Sequence, residues 1–385
     1  MAHRTTAIVL GGGGARGAYE AGVVAGIADV LAGGEFAKPL FDVFCGTSVG
    51  AINAAYLAAT AHRADHGTTG LISHWRELRL ERHLRLDVRA LLGQRLPSPH
   101  GASGRSFLNP SALEELIGQG TPWASLRRNV ESGFIRGLVV AALDIASGRT
   151  TVFTDLQPKL DYPASRDPRR HHEAVHIGAD HVLASAAIPL IFPPRRIGEG
   201  HFADGGLRFN TPLAPALRLG AERIVVIPLL TEKPAAPAAR RIGPLFLMGK
   251  LLNALLLDPI GYDLQVLARF NRLVKLLEQT LTADEQTRVD EAMRAERGAP
   301  YRAVDTLVFR PSEDLGHLAR ERAEELGGSR TAWAVKQMAR MEDVWEADLL
   351  SFVLFDGEHA GRLIELGRRD VRLRAGEVRE FFRDT

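Results

Sequence analysis

A single cysteine, Cys45, occurs in 385 residues. No intrachain disulfide can form, so a disulfide-stapled scaffold is excluded. Charge of one sign is missing as well. Lysines and arginines number 48 against 46 aspartates and glutamates, a formal net charge of +2, which makes no electrostatic case for nucleic acid. No run of about eighteen uncharged apolar residues exists, so no membrane-spanning helix is expected. The opening "MAHRTTAIVLGGGG" has an early Arg4 and a short apolar run, as a signal peptide does. Arg16 and Glu20 follow at once, however, and four consecutive glycines are poor material for a helical segment. The stretch reads as a first strand, and the protein as soluble and cytoplasmic. Internal repeats and low-complexity tracts are absent too.

Against these absences stands an apolar fraction of 45%. It supplies a sizeable core to a chain long enough for one large domain plus an extension. "TAIVLG" reads as a buried strand and "GAYEAGVVAGIADVLAGG" as a helix stopped by Gly33 and Gly34. "FDVFCG" reads as a second strand and "VGAINAAYLAATAHR" as a small-residue helix suited to lie close on a sheet. Strand, helix, strand, helix predicts a parallel α/β sheet. "LISHWRELRLERHL" follows as an amphipathic helix, residues 93–106 as a surface loop, and "LNPSALEELI" as a helix capped by Asn109 with Pro110 at its first position. "GLVVAALDIASGRTTVFT" predicts two strands around a turn at Ser147 and Gly148, and "DHVLASAAIPLIFPP" a short helix ended by Pro189. "RIGEGHFADGGLRFNTPLAPALRLG" predicts a strand, a turn and a helix capped near Asn210, and "ERIVVIPLL" another buried strand. Beyond residue 231 a linker-like "EKPAAPAARR" leads into helical patterns, from Gly243 to about Leu281 and from Thr331 to Asp384. The expected division is therefore 6–231 and a mainly helical extension, 232–385.

Three stretches carry chemistry. Gly46-Thr47-Ser48-Val49-Gly50 is G-x-S-x-G between a strand and a helix. A serine on so sharp a turn projects its hydroxyl clear of the sheet, and the helix N-terminus behind it offers unpaired amides to a developing oxyanion. A serine needs a base, and Asp204-Gly205-Gly206 places a carboxylate at a strand end where two glycines permit close approach. "IVLGGGGARGAYEAG" completes the set: a glycine loop at a strand end exposes several backbone amides, with Arg16 as a fixed cation that can hold the loop or an anion.

In this order and at about this spacing, "GGGGARGAYEAGV", "GTSVGAINA", "ASAAIPLIFPP" and "ADGGLRFNTP" resemble bacterial patatin-like phospholipases. The likeness covers roughly residues 7 to 230. It implies a three-layer α/β/α acyl hydrolase with a mostly parallel sheet and a Ser–Asp dyad without histidine. Carried onto this chain, Ser48 is the nucleophile and Asp204 its base. The Gly12, Gly13 and Gly14 amides with the Val49 N–H form the oxyanion hole. Arg16, Gly17, Gly46, Gly50, Gly205 and Gly206 support them. No metal or organic cofactor is implied. The expected partners are a lipid or phospholipid substrate and, transiently, a membrane surface. An acyltransferase or thioesterase with the same dyad, or a lipid-binding scaffold, are the competing readings.

Four features point elsewhere. Gly12-x-Gly14-x-x-Gly17 matches a dinucleotide fingerprint, but the second strand ends in the serine turn instead of an acidic residue. His172-Glu173-Ala174-Val175-His176 is formally H-E-x-x-H, yet Pro168 and Gly178 leave little room for a helix and "AVHIGADH" reads as strand into turn. His317 or His359 could complete a histidine triad, though neither lies in a loop-like stretch. The apolar "GPLFLMGKLLNALLLDP" reads as a buried helix or a membrane-docking surface.

Overall fold

The structure, a computed structural model, describes residues 3–32, 38–79, 111–163, 165–189, 192–209, 212–231, 250, 259–297, 300, 302–327, 330–341 and 348–383. The expectations for Gly33 and Gly34, the 93–106 loop, the Asn109–Pro110 cap and the 243–258 apolar segment (Lys250 aside) fall outside these residues. So does the stretch just beyond the expected boundary at 231.

The first half alternates strands and helices. β1 (Thr6–Leu10) leads through a 3-10 turn, Gly14–Arg16, into α1 (Gly17–Leu31). β2 (Val43–Thr47), α2 (Val49–Thr60) and α3 (Thr68–Arg76) follow. Then come α4 (Ser111–Gly120), α5 (Trp123–Glu131), β3 (Gly137–Asp144), β4 (Thr150–Leu156) and β5 (Arg170–Ala174). α6 (Ala179–Ser185) precedes the hairpin β6 (Arg195–Ile197) and β7 (Gly200–Asp204). α7 (Gly206–Phe209), α8 (Leu213–Arg218) and β8 (Arg223–Ile227) complete this part. The N-cap residue of α8 is Pro212, near the expected position. The rest is α9 (Pro259–Thr280), α10 (Ala283–Arg297), β9 (Asp305–Val308), α11 (Leu315–Glu325), α12 (Arg330–Met341), α13 (Asp348–Val353), α14 (Gly357–Leu373) and α15 (Ala375–Phe381).

The strand order is β5-β4-β3-β2-β1-β8-β9, with the β6–β7 hairpin attached through β7 to β3. β1, β2, β3, β8 and β9 run parallel, and β4 turns back against β3. Every residue of β1 is buried. Successive side chains of a strand go to opposite faces: Ile8 and Leu10 join the core with Val24, Ala54 and Leu57, while Ala7 and Val9 join Leu213, Ala216 and Leu267. A strand that is apolar on both faces belongs at the centre of a covered parallel sheet. The result is three layers, with α1 and α2 on one face and α8 and α9 on the other.

Residues beyond 304 return to this body. β9 extends the sheet beside β8, and α14 packs across α1, where Gly22 meets the Ile364 backbone and Gly367 meets that of Tyr19. Asp370 fixes the crossing: it accepts from Tyr19 Oη (2.9 Å) and from Ser312 Oγ (2.6 Å).

One detail of the sheet positions the site. β4 occupies one edge of β3 from Gly137 to Leu143. The other edge is shared. β2 covers it as far as the Thr47–Ala141 pair, and β7 takes over at Ala142, opposite Asp204. Ser48 follows Thr47, so Ser48 and Asp204 meet where one strand hands the β3 edge to the next.

Candidate active site

Ser48 lies at the carboxyl end of β2, in the crevice where open α/β sheets bind ligands. Its backbone is in an unusual left-handed region, φ 56° and ψ −126°. Such a conformation costs a non-glycine residue on the order of 1–3 kcal/mol and is held by its surroundings. The surroundings are visible. Ser48 O accepts from Ala51 N at 3.0 Å, which begins α2. Ser48 N donates to Ser185 Oγ at 2.9 Å, and Ser185 Oγ donates to Ala141 O at 2.6 Å.

Asp204 ends β7 and is fully buried. Gly206 N donates to its Oδ1 at 2.7 Å. The turn can close because residue 205 is glycine: a Cβ there would collide with Ala141 O. Burial pushes the Asp204 carboxyl up to about 7, partly offset by hydrogen bonds from the Ser48 hydroxyl and Gly206 N. Asp204 Oδ2 has no well-aligned hydrogen-bond partner among the described residues.

The segment after α6 holds both side chains. Ser185 Oγ secures the Ser48 amide, Ser185 O accepts from Gly205 N (3.4 Å), and Ala187 O accepts from Asp204 N (2.9 Å). Sequence reasoning noticed "ASAAIP" as a motif but did not single out Ser185. Its signal, a small polar residue at the end of an apolar helix, is too common to read without coordinates. Ser185→Ala strips a buried amide of its partner, a cost of about 1–3 kcal/mol. We expect kcat on a soluble ester to fall about tenfold with KM little changed, and Ser185→Thr to recover most of it. A loss confined to thermal stability would contradict this positioning role.

The glycine loop sits alongside. Gly50 rests over the carbonyls of Leu10 and Gly11, and Gly17 lies against the Val49 side chain. Gly14 has φ 58°, and a Cβ on it would strike Phe352 O. Gly11 and Gly17, on either side of Gly12, Gly13 and Gly14, therefore lie against the start of α2. Val49 and Gly50 open α2, where helix geometry leaves amides without an intrahelical acceptor.

Arg16 is almost entirely buried. Its Nε donates to Ser351 Oγ (2.8 Å), its Nη1 to Leu229 O (3.4 Å), and its guanidinium lies 4.3 Å over the Phe352 ring. Of the two roles open to it, the structure gives it loop-holding contacts: it ties the glycine loop to the end of the β8 segment and to α13.

A second support also went unread. Glu20, fully buried in α1, accepts from Asn53 Nδ2 at 2.8 Å. The Asn53 amide also donates to Gly17 O (3.0 Å), and Asn53 Oδ1 accepts from Trp75 Nε1 (3.1 Å). Burial drives the Glu20 carboxyl well above its ordinary range, opposed by Asn53 and by the Gly11 amide. Glu20 thus stands behind the glycine loop and, through Asn53, links it to α2 and α3.

A cleft opens from Val49 and runs between α2, α3 and α4. Its apolar walls include Ile52, Leu71, Trp75, Ile117 and Phe192. The cleft is open at its mouth. A buried ion pair, Arg195 Nη2 to Glu114 Oε1 at 2.5 Å, holds α4 to the β6 strand.

The other candidates separate from this site. His317 stands on exposed α11 and pairs with Glu321. His359 lies in the first turn of α14, is fully buried, and has no hydrogen-bond partner on either ring nitrogen among the described residues. Burial pushes its imidazole down to about 4. In the H-E-x-x-H stretch, Arg170–Ala174 is a strand. His172 bonds Thr154 Oγ1 (2.8 Å) and stacks on Tyr162, while His176 faces Asp155 (3.5 Å). Among the described residues no cluster suits a metal ion, and no helix is long and apolar enough to cross a membrane.

Comparison with known proteins shows the family of the chain. The family model for patatin-like phospholipases matches residues 8–217, more than half of the chain. A cGAMP-activated phospholipase from Pseudomonas aeruginosa is 33% identical over 213 residues, spanning 53% of this chain and 53% of that protein. The chain thus matches about half the length of that curated relative. Among solved structures, human GIVD cytosolic phospholipase A2, in complex with methyl gamma-linolenyl fluorophosphonate, shares 13% identity over 99% of this chain and 58% of that one, with a TM-score of 0.41. VipD from Legionella pneumophila shares 15% over 94% and 67%, with a TM-score of 0.33. From its motifs, its mostly parallel covered sheet and the family match, the chain belongs to the patatin-like phospholipase family.

Proposed function

We propose that this protein is a serine lipid acyl hydrolase of the phospholipase A or lysophospholipase type. The observation that carries the reading is the meeting of a strained Ser48 with a buried, proton-hungry Asp204 on one edge of β3. Ser48 Oγ attacks the ester carbonyl while its proton passes to the Asp204 carboxylate. Negative charge then develops on the carbonyl oxygen, which the amides of Gly12, Gly13, Gly14 and Val49 receive. Preorganised donors of this kind are worth about 3 kcal/mol each. Collapse expels the alcohol, which takes the proton from Asp204. Water, activated by the same carboxylate, then releases the fatty acid from acyl-Ser48. The apolar cleft beginning at Val49 holds the acyl chain, and a lipid substrate brings the protein to a membrane surface.

The test is product analysis on a panel of phospholipids, lysophospholipids, neutral glycerides and acyl-CoA. Free fatty acid from glycerolipids is expected. Transfer to an added acceptor alcohol, or turnover of acyl-CoA alone, would favour the acyltransferase or thioesterase reading. The relative is named for activation by cGAMP, so the panel is run with and without cGAMP. We infer that the dinucleotide raises turnover severalfold, and an identical rate in both arms would confine that regulation to the relative.

A further inference from the structure

We propose that the paired rings of Tyr56 and His74 close the far end of the apolar cleft and limit the acyl chain it encloses to about eight carbons. The assignment rests on the acyl hydrolase reading above. The cleft follows α2. It takes Val49, Ile52, Asn53 and Tyr56 from that helix, a helical spacing that puts them on one face. α3 lies opposite and runs the other way. Gly67, at its start, meets Thr60 at the end of α2, Gly70 meets the Tyr56 hydroxyl, and Trp75 Nε1 donates to Asn53 Oδ1 at 3.1 Å. Leu71, His74, Trp75 and Leu78 repeat the same spacing on this second wall. Val49 directly follows Ser48, so the cleft begins beside that serine. Tyr56 and His74 stand together at its other end.

That end is built from rings. The Tyr56 and His74 centroids are 5.0 Å apart with their planes at 80°, the edge-on contact that aromatic pairs favour. Tyr56 is buried. Gly120, the last residue of α4, lies so near that a Cβ on it would come 3.4 Å from the His74 imidazole. Thr121 follows and joins the lining. α2, α3 and α4 therefore converge on two aromatic side chains, which an alkyl chain would have to displace to go further. The distance sets the chain length. The seven residue steps from Val49 to Tyr56 span about 10 Å at about 1.5 Å per residue. Carbon–carbon bonds of about 1.5 Å advance an extended chain by about 1.25 Å each, so about eight carbons fill the cleft. Each enclosed methylene is worth about fourfold in binding, and carbons beyond the rings gain nothing there.

The experiment measures kcat/KM on p-nitrophenyl esters from butyrate to palmitate, with wild type, Tyr56→Ala, His74→Ala and Ile52→Trp in the full chain. Wild-type values are expected to rise about fourfold per methylene as far as octanoate and then to level or fall. Tyr56→Ala and His74→Ala are expected to carry the rise on to laurate, raising the laurate-to-octanoate ratio about tenfold or more. Ile52→Trp, which fills the cleft one turn from Val49, is expected to move the optimum the other way, below octanoate. A wild-type rise that continues unbroken to palmitate, or an optimum unmoved in both alanine variants, would overturn the proposal. A shift in Ile52→Trp alone would keep the chain in the cleft but place its end elsewhere, which also overturns the role of the two rings. If Tyr56→Ala does not fold, His74→Ala, at a half-buried position, decides. Absence of ester turnover in the wild type would defeat the hydrolase reading instead. Calorimetric binding of octanoate and laurate to wild type and His74→Ala would then judge the rings, with a gain for laurate expected in the variant and an unchanged preference overturning their role.

Discussion

Ser48→Ala is expected to lower kcat on a lipid ester by about 10⁴-fold or more and to abolish labelling by a fluorophosphonate. Loss of a nucleophile is the largest single effect a serine hydrolase shows, because the remaining donors act on an attack that no longer occurs. What persists is the roughly 10³- to 10⁴-fold advantage over water from binding and the oxyanion hole. The substitution removes one hydroxyl from a site held by backbone bonds: Ser48 N to Ser185 Oγ and Ala51 N to Ser48 O. Alanine is at least as strained as serine at φ 56°, so a small loss of thermal stability is expected but no loss of fold. Folded Ser48→Ala protein that still turned over ester and took up the label would place the nucleophile elsewhere. Folded wild type that did neither would favour the lipid-binding scaffold.

The second large effect belongs to Asp204→Asn, with an expected loss of about 10³-fold or more in kcat/KM and the disappearance of a pH limb. A general base must be ionised to accept a proton. Burial holds the Asp204 carboxyl up at about 7. Wild-type kcat/KM is therefore expected to climb about tenfold per pH unit below 7 and to level off above it. Asparagine cannot accept the proton, so the variant's residual activity should not follow that limb. A wild-type profile flat from pH 5 to 8 would exclude Asp204 as the base.

The same shift affects stability, with a definite sign. The folded pKa lies above the unfolded value near 4, so the folded state binds the extra proton between them. The stabilising contribution is whole below about pH 4 and is lost as pH rises through 7. At pH 8 the ionised carboxylate is buried at a net cost, and Asp204→Asn is expected to melt higher than wild type there, by the trade between stability and activity common to such sites. Melting curves of both proteins at pH 5 and pH 8 measure it: the variant's advantage should appear at pH 8 and shrink at pH 5.

The elements that were legible share one property. β1, β2, β3, β4 and β8 are short apolar runs bounded by glycine, proline or polar residues, and α1 and α2 are small-residue helices of more than two turns. In each, local pattern and final environment agree. β9 was overlooked, although "DTLVF" is a reasonable strand by composition. It has four residues, half of them exposed, and becomes a strand because β8 offers an open edge. The helical patterns from Gly243 and from Thr331 take in α9 and α12 to α15 but not α10 or α11; the fastening of α14 to α1 by Asp370 and by backbone contacts at Gly22 and Gly367 has no sequence period.

The candidate site divides the same way. Ser48, Asp204 and the glycine loop announce themselves because each needs a backbone that only particular neighbours permit, and that requirement is written as adjacent letters: G-x-S-x-G, D-G-G, G-G-G-G. The sequence by itself thus determined the family, the alternation of strand and helix, and the candidates proposed as reacting groups. Tertiary structure alone decided that Arg16 faces inward to Ser351 and Phe352, that Ser185 ties the serine turn to β3, and that burial carries Asp204 to about 7. Short-range backbone geometry depends on neighbours in the chain. Desolvation and hydrogen-bond partnership depend on neighbours in space, and for Ser48 and Asp204 those come from β3 and the end of α6, far away in sequence.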